Sequence, residues 1–453
     1  MRTLIANLGF IFQITGLLII IPIIAAHYYG ERESMIALLL TSLSFFSTGF
    51  IMNALSERKE LDYKTSCLLV LLTFVLVSLI GTIPYFYLGI FSSNNILEDF
   101  INSYFESVSG FTTTGLTFLD PTNLPKSIVL YRSLTQWIGG IGIVYLILAF
   151  FYGETIVNGI AEAVGIRKFL SKIKTSVVEV LFIYSFYTIL FLSILYLLGI
   201  KDLVTNISLV FSGLSTGGYM PNFEINNQIL IVLIIIMILG ATSFELHHAI
   251  LFRKWYKLKC SEFLIYLLLI FLGTFVLFSL YNKDLLISLF HVVSAISTAG
   301  FSFENFSNMP EFMKLFFATL MFIGGSSFST SGGIKIYRLI VLFKSIGIAI
   351  KEKLGISTER VDFVEILASL ITITFSISIV FVAALIFTLH GNPFVDSLFQ
   401  CIAAYSTGGI YLMSLNYNAS LKALLIALMI IGRVEIFTFL VAISKYRQKE
   451  VKL

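Results

Sequence analysis

Ten long apolar stretches, separated by clusters of charge, decide what this chain can fold into. They lie at about 3–29, 34–56, 64–91, 124–152, 174–199, 226–251, 261–281, 312–350, 361–390 and 418–444. About 20 apolar residues in a helix suffice to cross roughly 30 Å of hydrocarbon. Only 12% of the 453 residues are charged, against 57% hydrophobic; a soluble domain carries about a quarter charged residues. So much apolar surface cannot be hidden in one water-soluble core. Strand-like alternation is absent, and backbone in lipid must satisfy its own polar groups, so the chain reads as an all-α polytopic membrane protein. The first stretch is too long for a signal-peptide core and has no small-x-small cleavage site, so it reads as a retained helix. Cys67, Cys260 and Cys401 are scattered in apolar contexts and form neither a disulfide framework nor a zinc spacing. Basic residues sit in short clusters between spans, an orientation signal, which argues against nucleic-acid binding.

The order of these stretches is repetitive. After two leading helices, a long, a half-polar short and a second long segment recur four times. The four short segments align on one glycine each: VSGFTTTGL (108–116), FSGLSTGGY (211–219), VSAISTAGF (293–301) and IAAYSTGGI (402–410). The aligned glycines are Gly115, Gly218, Gly300 and Gly409. Two positions earlier stand Thr113, Thr216, Thr298 and Thr407; one further back stand Thr112, Ser215, Ser297 and Ser406. Small residues precede the glycine (Thr114, Gly217, Ala299, Gly408) and apolar ones follow (Leu116, Tyr219, Phe301, Ile410). Sixteen positions upstream are Asp99, Asp202, Asp284 and Pro393, which suit helix starts. Each short segment therefore reads as a helix of about ten residues, too short to span, that dips in and returns. Small and hydroxyl residues also pack membrane helices together. Four copies in register favour a shared role. The expected units are two N-terminal helices (1–60) and repeats at 61–160, 161–255, 256–355 and 356–453.

Irregular backbone at membrane depth is tolerated where it is buried in protein or lines a water-filled path. Four such loops can surround one axis and offer it backbone carbonyls, which replace the hydration shell of a small cation. Glycine turns a carbonyl inward by taking φ > 0. Threonine hydroxyls add oxygens or brace the loop. The short helices aim their partially negative C-terminal ends at the same place, favouring a cation. A ring without obligatory carboxylates suits a weakly hydrated monovalent ion better than Ca²⁺ or Mg²⁺.

The four Thr-x-Gly loops resemble single-chain relatives of potassium-channel filters, as in the Trk/Ktr/HKT superfamily of potassium transporters. QWIGGIGIVYL (136–146), FIGGSSFSTSGGIKIYR (322–338) and GRVEIFTFL (432–440) point to its bacterial TrkH/KtrB-like branch. The resemblance implies four pseudosymmetric repeats around a central pore and K⁺ uptake across a bacterial cytoplasmic membrane. It also implies a homodimer and a cytoplasmic nucleotide-binding regulatory ring of the TrkA/KtrA type. No GxxxxGK[ST] motif is present, so any nucleotide is expected on that partner. The chain itself is expected to carry no cofactor beyond the K⁺ it conducts. After the filter glycine come Thr117, Met220, Ser302 and Tyr411 rather than a second glycine, which implies a shorter filter than that of potassium channels.

The eighth stretch is too long for one straight span: 39 residues at 1.5 Å each reach roughly 58 Å. At its middle Gly324, Gly325, Ser326, Ser327, Ser329, Thr330, Ser331, Gly332 and Gly333 surround Phe328, a run of helix breakers. It reads as an intramembrane loop that obstructs the pore, the role the resemblance gives it, or as a close-packing surface. Arg433 is a charge inside the last span and a functional residue by default. The resemblance places it in the pore below the filter, where it repels K⁺; pairing with Glu435 is the simpler alternative. Arg132 reads as an interface anchor, and Glu106, Asp120, Glu224 and Glu304 as acids near the mouth that concentrate cations. His247 and His248 are adjacent on a helix and point apart, so they make no metal site. A cytoplasmic N-terminus and ten spans put most lysines and arginines, and the C-terminus, on the cytoplasmic side, with the re-entrant loops open to the outside. No carboxylate pair or nucleophile–base set supports an enzyme. A Na⁺-conducting or Na⁺-coupled relative, the K⁺-binding subunit of an ATP-driven pump, and a multipass membrane enzyme are the alternatives.

Overall fold

The computed structural model describes residues 2–55, 61, 63–93, 95–140, 142, 177–252, 261–281, 284–354, 363–412, 415 and 417–444. The second half of the fourth apolar stretch lies outside them, as do Lys283, Arg360 and the basic clusters at 58–59, 167–174, 253–259 and 445–452. Every described element is a helix or a turn.

Six helices are long and apolar enough to span: Arg2–Tyr28, Arg32–Ala54, Lys64–Tyr87, Glu179–Leu197, Ser261–Leu280 and Phe363–Leu389. The expected second helices of the repeats behave differently: three are interrupted, and the first is described as a helix only to Gly140. Asn227–Gly240 bends by 104° into Phe244–Leu251, and Ala419–Val434 by 100° into Ile436–Ile443. Glu311–Ile323 stops at Gly324, and a new helix starts at Ile336. Lys126–Gly140 ends in the paired glycines Gly139 and Gly140. Glycine terminates a helix at low cost because it accepts φ > 0, as Gly324 does with φ 72°. Glu435 makes the other bend with φ 64°.

Between the helices of each repeat lies a short one: Ile96–Phe111, Leu203–Leu214, Leu285–Ile296 and Phe394–Tyr405. Asp202 and Asp284 cap theirs as expected, accepting from Thr205 N at 3.1 Å and Leu286 N at 2.7 Å. Pro393 stands at the fourth cap position. In the first repeat the expectation fails: the cap is Asn95, accepting from Leu97 N at 3.0 Å, and the helix is one turn longer. Asp99 instead accepts from Ser93 N at 2.8 Å and ties down the entering loop.

The repeats interlock cyclically. Lys126–Gly140 packs on Leu203–Leu214, Asn227–Gly240 on Leu285–Ile296, Glu311–Ile323 on Phe394–Tyr405, and Ala419–Val434 on Ile96–Phe111. Each second helix thus buries the next repeat's short helix, and the fourth returns to the first. Each second helix also packs on its own repeat's short helix, and three of these contacts depend on glycine. A methyl group on Gly139, Gly240 or Gly432 would collide with the carbonyl of Phe111, Leu214 or Tyr405, the last helical residue of a short helix. The two N-terminal helices form their own close crossing. A Cβ on Gly49 would stand 2.5 Å from Gly9 O, and one on Gly9 2.7 Å from Gly49 O, the small-residue packing of membrane helices. The protein is a multi-pass helical membrane protein with four helix–loop–helix repeats around one axis.

Candidate functional site

The short helices end together at one place, and the way they end is the same four times. The amide of the second residue after each C-cap bonds back to the helix: Thr114 N to Ser109 O, Gly217 N to Ser212 O, Ala299 N to Ser294 O and Gly408 N to Ala403 O, at 2.7–2.9 Å. The preceding amides of Thr113, Thr216, Thr298 and Thr407 bond to Gly110 O, Gly213 O, Ala295 O and Ala404 O. This pair of bonds is a Schellman closure, which wants a left-handed residue, usually glycine. Here threonine takes that position, with φ 55°, 52°, 58° and 51°. A β-branched residue with φ > 0 is a genuine outlier. Such strain costs about 1–3 kcal/mol each and persists where the surroundings over-determine it. Two residues on, Gly115, Gly218, Gly300 and Gly409 take φ 83°, 87°, 73° and 63°.

These glycines close a ring. A Cβ on Gly115 would run into Gly217 O, on Gly218 into Ala299 O, on Gly300 into Gly408 O, and on Gly409 into Thr114 O. For Gly218 and Gly300 the distance would be 2.5 Å. Each glycine therefore faces the carbonyl just before the next repeat's glycine. The order, first to second to third to fourth and back, is that of the helix packing. The residues around the ring, from Thr112 through Thr114 and their equivalents at Ser215, Ser297 and Ser406, are buried.

The threonine hydroxyls fall into two classes. Thr298 Oγ1 accepts from Gly332 N at 2.7 Å, and Thr216 Oγ1 lies 3.4 Å from Thr330 Oγ1 while donating to Ser215 O. Among the described residues, Thr113 Oγ1 and Thr407 Oγ1 are buried without a hydrogen-bond partner. Buried hydroxyls are nearly always paired, so these two stand apart from those of Thr216 and Thr298.

The segment 324–333 lies against this ring. Thr330 Oγ1 donates to Gly240 O at 2.8 Å and reaches Leu214 O at 3.0 Å. Thr330 N bonds to Gly240 O and Ser326 N to Ala241 O. A Cβ on Gly332 would strike Ser406 O and Thr407 Oγ1. The segment thus touches the ends of the second, third and fourth loops. Its outer turn is pinned by Glu262, which accepts from Ser327 N at 2.6 Å, and by Phe244 N bonding to Phe328 O. Ser329 Oγ donates to Ser326 O and lies 2.9 Å from Ser331 Oγ, which accepts from Gly325 N. Lys335 Nζ donates to Ser331 O, and Gly333 turns with φ 76°. Arg433 joins it from the fourth repeat, donating to Thr330 O at 2.8 Å and to Gly139 O and Gly140 O at 2.6 and 3.0 Å. Its expected alternative partner, Glu435, pairs with Arg338 instead.

Two readings of charge need correction. Arg132 is no interface anchor and Glu106 no mouth carboxylate: both are buried and paired at 3.3 Å. Glu106 Oε1 also accepts from Thr117 Oγ1 at 2.7 Å and Phe118 N at 2.9 Å. Arg132 lies 4.1 Å from the centre of the Tyr219 ring, whose hydroxyl donates to Glu106 O at 2.8 Å. Tyr219 is thus a polar tie as well as an apolar brace. The signal was the pairing of two opposite charges inside apolar runs, where an unpaired charge is too costly. His247 and His248 do part company, the first to Tyr187 and Leu239 O, the second to Glu179.

Comparison with known proteins agrees with this architecture. The family model TrkH, described as a cation transport protein, matches residues 33–281 and 276–452. An uncharacterized cation transporter of Methanocaldococcus jannaschii is 33% identical, covering 98% of this chain and 96% of its own. The Trk system potassium uptake protein TrkH of Escherichia coli K12 is 28% identical over 85% of this chain and 86% of its own. The crystal structure of the potassium transporter TrkH from Vibrio parahaemolyticus superposes with a TM-score of 0.81, covering 98% of each chain at 22% identity, a likeness of fold. The chain belongs to the TrkH family of cation transport proteins.

Proposed function

We propose that this protein carries K⁺ across the cytoplasmic membrane through the ring of Gly115, Gly218, Gly300 and Gly409. The closed cycle of glycine-to-carbonyl approaches carries this reading. It gathers Thr114 O, Gly217 O, Ala299 O and Gly408 O at the C-terminal, partially negative ends of four short helices. The open hydroxyls of Thr113 and Thr407 add oxygens. Neutral oxygens in a fixed ring replace the water shell of a weakly hydrated monovalent cation. The Escherichia coli relative is a potassium uptake protein, which supports the choice of ion.

In this reading the 324–333 segment and Arg433 form the closed gate. The segment blocks the path beneath the threonines, and the guanidinium adds an electrostatic barrier to a cation. Opening requires the Thr330 and Arg433 bonds to break. Cytoplasmic termini, loops open to the outside, a homodimer and a cytoplasmic nucleotide-binding ring complete the proposal; the distribution of basic residues supports the orientation and the family resemblance supports the partners.

The test is rescue of growth at limiting K⁺ in cells lacking K⁺ uptake, with K⁺ and Na⁺ fluxes into vesicles holding the purified chain. Rescue with K⁺ flux exceeding Na⁺ flux supports the proposal. Na⁺ flux equal to or above K⁺ flux refutes the assignment of the ion, and no flux in any gate variant refutes the pore.

A further inference from the structure

Gly139, Gly240, Gly324 and Gly432 stand at or within two residues of the ends of the four second helices, next to the ring. Three residues before them stand Gln136, Met237, Met321 and Met429, all fully buried. Three seats are apolar and one is an amide. Two of the seats lie against the next repeat's loop. A Cβ on Gly408 would lie 2.6 Å from Met321 Sδ, and one on Gly217 2.5 Å from the Gln136 amide carbon. Both glycines directly precede a ring glycine.

Gln136 uses its position as methionine cannot. Its Nε2 donates to Gly217 O at 2.5 Å, and its Oε1 accepts from Tyr219 N at 3.2 Å. The two bonds grip the backbone on either side of Gly218. Among the described residues, no side chain donates to Thr114 O, Ala299 O or Gly408 O. The same strand is held again one residue further on, with Arg132 over the Tyr219 ring and Glu106 taking its hydroxyl. The second loop is thus clamped from the first repeat.

We infer that Gln136 is a positioning residue for ion selection, tethering Gly217 O so that one of the four ring oxygens is fixed and polarised differently from the other three. The inference rests on the reading of the ring as the K⁺ site. A carbonyl that already accepts a short hydrogen bond is less free to follow a smaller ion inward, so the tether opposes collapse around Na⁺. Selectivity is then set partly by a side chain behind the ring rather than by the loop sequence alone.

The test compares wild-type protein with Q136M, which installs the residue of the other three seats, and Q136E, which keeps the shape and, as a carboxylate, has no donor for Gly217 O. Loss of one net hydrogen bond corresponds to roughly a threefold to tenfold change. Both variants are expected to lower the K⁺/Na⁺ flux ratio in vesicles, and raise the KM for K⁺, by that factor, with maximal rate little changed. A general packing defect would instead lower abundance and maximal rate and leave the ratio alone. Wild-type ratio and KM in the variant that reaches the membrane overturn the inference. If Q136M does not assemble, the near-isosteric Q136E carries the test. Gly218→Ala separates the two levels: if it too leaves K⁺ flux intact, the ring is not the ion site; if it abolishes flux while the Gln136 variants match wild type, only the tether fails.

Discussion

Replacing Gly218 with alanine tests the ring most directly, because its cost has two separable parts. The first is conformational: at φ 87° a residue with a Cβ loses about 1–2 kcal/mol. The second is steric. The new methyl would stand 2.5 Å from Ala299 O, whereas real Cβ contacts essentially never fall below 3.0 Å, so the carbonyl must retreat by at least the 0.5 Å between them. Forced overpacking of a tight site costs about 1–3 kcal/mol. The sum, about 2–5 kcal/mol, corresponds to roughly 30-fold to several thousand-fold in an equilibrium constant. That strain is relieved at the ring, since the alternative is to unpack a whole short helix from its neighbour. Gly391 supplies the control. It has φ 85° and nothing within 4 Å of an added Cβ, so Gly391→Ala pays the conformational part alone and does so on an exposed turn. The assay is K⁺ flux in vesicles together with the unfolding midpoint in detergent. Gly391→Ala should lose a little stability and keep its flux; Gly218→Ala should lose K⁺ flux at least 30-fold. Equal, wild-type flux in both would refute the argument that the ring holds the ion.

Glu106→Ala leaves Arg132 buried and unpaired, a loss of about 3–5 kcal/mol that should show as a large drop in unfolding midpoint; Glu106→Gln removes the same counter-charge and should cost only somewhat less, its amide oxygen keeping the bond from Phe118 N as Gln400 at the equivalent place in the fourth repeat accepts from Leu412 N. Arg433→Ala removes donors from three carbonyls and a positive charge from the path, so flux at equal membrane abundance should rise about tenfold or more; unchanged or lower flux counts against the gate. Thr330→Val should act in the same direction through Leu214 O and Gly240 O. At the entrance to the second short helix, burial pushes the Asp202 carboxyl up, but bonds from Lys126 and Thr205 outweigh it and hold it below the usual range. Its stabilisation is present above the unfolded value near pH 4 and lost as pH falls through the lower folded value. For so exposed a pair that is about 0–1 kcal/mol, so Asp202→Asn should barely change the midpoint at pH 7 and slightly flatten its fall below pH 4.

The repeats were legible because the constraint that makes them is local. A short helix capped by Asp202 or Asp284 and closed before a left-handed glycine is written within one stretch of sixteen residues. The cap at Asn95 escaped because Asp99 has the right residue type at the right offset, and only the longer first helix decides between them. The left-handed threonines were illegible for another reason. Intrinsic preference puts glycine there, and threonine is held in that conformation by the neighbouring repeats. Arg132 and Glu106 lie 26 positions apart in sequence, and nothing local announces that they meet. The breaks in the second helices were visible in the third repeat as a run of glycines and serines. In the fourth they were masked, because Glu435 makes the turn at φ 64° without a glycine.

Pseudosymmetry and gating pull in opposite directions here. Four equal carbonyls suit an ion that must be held without preference for any side. A gate needs one element able to move while three stay. In the proposed reading the chain meets both needs by keeping the loops nearly alike and placing each exception on the helix behind them. The third repeat alone has the long glycine-rich break, the fourth alone puts arginine beside its terminal glycine, and the first alone puts glutamine in the methionine seat. Arg433 draws two of these together, since its acceptors belong to the third repeat's break and the first repeat's helix end. Arg433 therefore links the break to the helix that carries Gln136, whose amide holds Gly217 O. In the proposed mechanism, the same helix end that releases the gate also sets the geometry of one quarter of the ring.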